Sequence, residues 1–157
     1  MTSQMIGDHG QAGYIAKSYS ISTLASWLIK KALLKMNEIK VYIDSNGIMC
    51  VEYPTHSNFG IHEVREEYRK RLDITNEKMP VLVKIRGIKT FSEDAQNFLC
   101  SSDNCAITST TAVVGDSNAG YFKHSEILLE LFKCLKRPPF DFKYFDDEES
   151  AIAWLKA

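Results

Sequence analysis

Long apolar runs are missing from this chain. No stretch reaches the about 18 consecutive apolar residues of a membrane-spanning helix, so no membrane span is expected. Charge of one sign is missing too: 19 basic and 20 acidic residues leave a formal net charge of −1, and no global field draws the protein toward nucleic acid. Cysteine is sparse and unpatterned. Cys50, Cys100, Cys105 and Cys134 form no C-x-x-C pair, and three of them sit inside apolar patterns. They read as small, buried, reduced hydrophobes in a cytoplasmic setting rather than as a disulfide framework. The four histidines, His9, His56, His62 and His124, show neither H-x-x-x-H nor H-E-x-x-H spacing, so no metal site is expected. A G-x-S-x-G elbow and a P-loop are absent, and Asp73, Glu77, Asp94 and Asp103 lie in unrelated segments without a legible acid-base pair. The residues point away from an enzyme, and no cofactor is expected.

What is present is an ordinary globular composition: 157 residues, 45% hydrophobic and 25% charged, enough for one domain with its own core. Residues 1–37 stand apart as an N-terminal extension. Their first part is rich in Gly, Ser and Gln without any period, and ISTLASWLIKKALLKMN then gives a candidate helix over 22–35. An amphipathic helix for a membrane surface or partner, a helix packed on the domain, and a segment translated from an upstream start before Met36 all stay open.

Residues 38–157 carry crisp patterns. IKVYIDS and IMCVEYP alternate on either side of Asn46-Gly47, a two-residue hairpin signal. THSNFG reads as a loop. IHEVREEYRKRL puts Ile61, Val64, Tyr68 and Leu72 on one helical stripe, with the charges of REEYRKR as a solvated face. VLVKI is a strand covered on both sides, broken by Gly87. Thr90-x-x-Glu93 is a capping-box pattern, with Ser92 as a competing cap, for a helix through Ala95, Phe98 and Leu99; SSDN then interrupts. TSTTAVVGDS is a β-branched strand, YFKHSEILLELFKCLKR a helix and FDFKYF an edge strand. The ending DDEESAIAWLKA is a helix capped by Asp146 or Asp147 that docks through Ala151, Ile152 and Leu155. The order β-β-α-β-α-β-α-β-α predicts a mixed, mostly parallel α/β sheet opened by an N-terminal hairpin.

VLVKIRGIKTFSEDAQNF, TTAVVGDS and PFDFKYFDDEESAIAWLK resemble STAS-like domains, the fold of bacterial anti-sigma factor antagonists, in an uncharacterised bacterial branch. The resemblance covers roughly residues 36–157. It implies a non-enzymatic regulatory or protein-interaction module with an unidentified protein partner; a homodimer stays open. In the antagonists, a serine starting the helix after the central strand is phosphorylated. The matching turn is KTFSED, so Ser92 is the candidate phosphoswitch, although the Asp-Ser-Ser-Gly turn of that group is absent. The alternative is a carrier or sensor of a small apolar or anionic ligand. GDSNAG is the candidate ligand loop, with Gly115, Asp116, Ser117, Asn118 and Gly120. It leaves the carboxyl end of a parallel strand, and the amides of Asn118 to Tyr121 are placed for an anion. An enzyme using this 115–120 loop is the remaining reading.

Overall fold

A computed structural model describes residues 21–55, 57–118 and 121–157. His9, His56, Gly120 and the first part of the N-terminal extension lie outside the described residues. The chain divides into two compact units, residues 1–33 and 34–157. In the first, α1 (Ile21–Met36) begins; on this helix Lys31 Nζ stands 4.8 Å from the centre of the Trp27 ring, a cation–π spacing. Among the described residues, no helix is long and apolar enough to cross a membrane.

The second unit is built on a five-stranded sheet of β1 (Lys40–Ile43), β2 (Met49–Glu52), β4 (Met79–Lys84), β6 (Thr108–Val114) and β7 (Asp141–Phe145), in the order β1-β2-β4-β6-β7. β1 pairs with β2 antiparallel, and every other pairing in this sheet is parallel. This is the mixed, mostly parallel architecture with an opening hairpin that the STAS-like resemblance implies. The crossovers are α2 (Ile61–Ile74), α3 (Glu93–Leu99) with α4 (Ser102–Ile107), and α5 (Phe122–Lys136); α6 (Glu148–Lys156) closes the chain.

Both sheet faces are covered, which explains the near-continuous apolar runs of the central strands. Met49, Val51, Val81, Val83 and Val113 point into one core with Val64, Ala95, Leu129 and Phe132 from the helices. Ile48, Cys50, Leu82 and Ala112 point the other way, into a smaller core closed by Ala151, Ile152, Trp154 and Leu155 of α6. Fully burying a side chain such as Leu82 stabilises by roughly 1.5–3 kcal/mol.

Four local expectations are corrected. The hairpin is not a two-residue Asn-Gly turn. Asp44 N–H donates to Ile48 O at 3.0 Å, and the Asp44 carboxylate accepts from the Asn46 and Ile48 amides at 2.8 and 3.0 Å. That leaves a three-residue loop in which Gly47 alone takes a positive φ, 74°. THSNFG contains β3 (Ser57–Phe59), which pairs in parallel with β5 (Ile88–Phe91) as a separate two-stranded ribbon. SSDN does not merely interrupt: Ser101 accepts from Asn104 N–H at 3.4 Å and caps α4. Finally, α2 is rotated from its expected stripe. Glu67 and Arg71 are buried, while Leu72 is 38% exposed, because those two charges have specific partners inside.

Candidate functional site

Ser92 stands at the junction of β5 and α3. Its N–H donates to Phe59 O at 2.9 Å, joining the turn to the β3 end of the ribbon. Its Oγ accepts from Ala95 N–H at 3.2 Å and so caps α3, a role the capping-box reading had divided with Thr90. Thr90 instead lies in β5, its hydroxyl donating to Asn58 Oδ1 at 3.1 Å. The Ser92 residue is exposed. Beside it, Glu93 pairs with Lys136 Nζ at 3.1 Å, and the same ammonium donates to Asn97 Oδ1 at 2.9 Å, bridging α3 to the end of α5.

The 115–118 loop is held by its own polar groups. Asp116 Oδ1 accepts from Asn118 N–H at 2.9 Å, an Asx turn. Gly115 N–H donates to Phe145 O at 3.2 Å and prolongs the β6–β7 ladder. Its lack of a side chain has a packing cause: a Cβ there would overlap the Tyr144 hydroxyl and lie 2.8 Å from Tyr144 Cζ and 3.0 Å from Phe122 Cε2. The Tyr144 hydroxyl is buried without a hydrogen-bond partner among the described residues, and burial, with Asp146 and Glu126 nearby, raises its pKa above the ordinary tyrosine value. Ser92 and the loop residues are held by separate local bonds, and the described contacts join them in no common site.

The sequence reading missed a buried polar cluster under α2. Tyr53 donates to Glu67 Oε2, and Glu67 Oε1 lies 3.6 Å from Arg71 Nη1. Arg71 donates to Asn104 Oδ1 at 3.2 Å, to Ile107 O at 3.0 Å and to Thr108 Oγ1 at 2.8 Å. The Ile107 carbonyl ends α4, where a cation is favoured, so Arg71 ties three elements together. Burial pushes the Glu67 carboxyl above its usual range against the pull of Arg71. The cluster borders a cavity of about 40 Å³ otherwise walled by Thr111 and by aliphatic and phenylalanine side chains. Only the Glu67/Arg71 i,i+4 spacing hinted at the pair, and that spacing is equally at home on a wet helix face.

Other perturbed groups have structural explanations. Burial lowers the Lys84 pKa, but Glu148 at 2.8 Å and the Tyr42 hydroxyl at 3.4 Å outweigh it and hold the ammonium above its ordinary value. Burial pushes the Cys50 thiol up to about 11 and also raises Cys100 and Cys105, the reverse of what a nucleophilic thiolate needs. All four cysteines are free, but only Cys50 is buried as expected; Cys100 and Cys105 are half-buried and Cys134 is exposed. Among the described residues, no group of three His, Cys, Asp or Glu side chains could hold a metal.

No curated protein matches the chain. Among solved structures, it is similar to an uncharacterized protein from the DUF3478 family with a SpoIIAA-like fold from Shewanella loihica PV-4. The identity is 17%, with 75% of this chain and 92% of that chain covered and a TM-score of 0.49. Residues 41–157 match a domain of unknown function, DUF7793, and the chain belongs to that family.

Proposed function

We propose that this chain is a non-enzymatic regulatory or protein-interaction module of STAS-like type, working in the cytoplasm through contact with another protein. Residues 38–157 carry the function, and residues 1–37 are an extension to it. The observation that supports this reading most is the placement of Ser92: an exposed hydroxyl at a junction fixed on both sides by backbone hydrogen bonds. A phosphate there adds about −1.5 to −2 charges next to the Glu93–Lys136 bridge. It competes with Glu93 for that ammonium and changes the surface shared by α3 and the end of α5.

The carrier alternative has less support. The apolar cavity, about 40 Å³, is far below the roughly 300–1,000 Å³ of ligand pockets; the recesses that reach this size are open and lined largely by charged side chains, and the Asp116 side chain is engaged in its own turn. The test starts from a pull-down with the full chain to obtain a partner, followed by calorimetry of wild type, Ser92→Asp and Ser92→Ala. A switch gives several-fold weaker binding for Asp and nearly unchanged binding for Ala. Equal affinities for all three proteins would reduce Ser92 to a helix cap.

A further inference from the structure

β7 is the outer strand of the five-stranded sheet, paired with β6 and, among the described residues, with no other strand. Its inner pairing fixes what it offers outward. Phe145 turns its carbonyl to Gly115 N–H, so by the period of two Asp141 and Lys143 also turn their amide groups inward. Phe142 and Tyr144 then present N–H and C=O to the open edge. A recess of about 410 Å³ runs along this edge, bordered by Lys133 of α5 and Arg137, which caps that helix, by Phe140, Asp141 and Lys143, and by Trp154 of α6.

We propose that this edge binds the β7 edge of a second copy of the chain, antiparallel, with the two-fold axis at Phe142, so that two five-stranded sheets become one. The outward amides of Phe142 then exchange both hydrogen bonds with the partner's Phe142, and Asp141 of each copy stands opposite Lys143 of the other. Cross-strand pairs of opposite charge stabilise such a ladder and like charges oppose it. The charges also select the register: sliding the partner by two residues sets Lys143 against Lys143. A foreign acidic strand would satisfy Lys133, Arg137 and Lys143 but would face Asp141 with like charge, which favours a second copy. Alone, Lys143 is the kind of edge charge that discourages pairing; within the two-fold it is matched.

The test is sedimentation equilibrium of the full chain over a micromolar concentration series. Wild type is expected to form dimers that weaken with added salt. Lys143→Asp and Asp141→Lys alone should each dissociate about ten-fold or more readily, since two attractive pairs become repulsive. An equimolar mixture of the two variants should regain wild-type affinity, because each supplies the charges that the other now needs. Both positions are exposed, and thermal melts of each variant show that folding is retained. A wild-type monomer at every concentration, dimers unaffected by either substitution, or a monomer that takes up a synthetic acidic strand peptide would overturn the proposal.

Discussion

At the scale of single residues, the pair Gly115 and Tyr144 shows how a loop glycine can be required by packing while looking like a ligand device. The hydroxyl of Tyr144 occupies the space a Gly115 side chain would take, and among the described residues it has no hydrogen-bond partner. Gly115→Ala should therefore cost about 1–3 kcal/mol, the usual penalty for overpacking. Tyr144→Phe removes a buried hydroxyl that bonds to none of the described residues, so it should leave stability unchanged or raise it slightly. The double variant should recover part of the Gly115→Ala loss, because the worst overlap is with the removed oxygen while Cζ remains at 2.8 Å. Denaturant melts of the three variants check this; a Gly115→Ala protein as stable as wild type would return the glycine to a conformational or ligand role. The sequence could not show this, because the contact joins residues 29 apart and a Gly-Asp-Ser turn looks the same either way.

At the scale of elements, α6 was legible and α2 was only half legible, for different physical reasons. The α6 signals are local: Asp147 accepts from Ser150 N–H at 2.7 Å, and Ala151 is fully buried beneath the sheet. The α2 helix was found by its period, but its buried face includes Glu67 and Arg71, whose partners come from distant segments. Apolar periodicity cannot register a charge buried against a carbonyl elsewhere in the chain. The short ribbon of β3 and β5 was missed for a related reason, since three paired residues carry too little alternation to read. The α6 cap carries a pH signature. Hydrogen bonds from the Ser150 amide and hydroxyl hold the Asp147 carboxyl below its ordinary value, so the folded state prefers the ionised form. The stabilisation is present above the unfolded pKa of about 3.9 and is lost as pH falls through the lower folded value. Asp147→Asn keeps an acceptor without the charge. It should melt below wild type at pH 7, with the gap closing as pH falls past the unfolded value and through the lower folded one; parallel pH profiles would separate the charge from the cap.

For the whole molecule, the sheet topology followed from the sequence because hairpin and crossover rules leave few arrangements for that order of elements. The candidate site did not follow in the same way, because a surface that acts by contact needs no special spacing of reactive groups. The division of the chain can be tested directly. Among the described residues, every member of both buried hydrophobic cores lies at Ile39 or later, and the family match begins at residue 41. The ion pairs nearest the start of this unit, Lys70 with Glu38 at 3.0 Å and with Glu66 at 3.1 Å, also lie within residues 36–157. Cooperative melting reflects the packing of those cores, so a protein of residues 36–157 should keep a single sharp transition. Its midpoint should lie within about 4–8 °C of the full chain's, the shift that about 1 kcal/mol produces in a small domain. Calorimetric scans of the two proteins at equal concentration decide the matter. A broad or absent transition for residues 36–157 would mean that the Trp27 segment supplies packing the two cores need, and the boundary would then have to move toward the start of the chain.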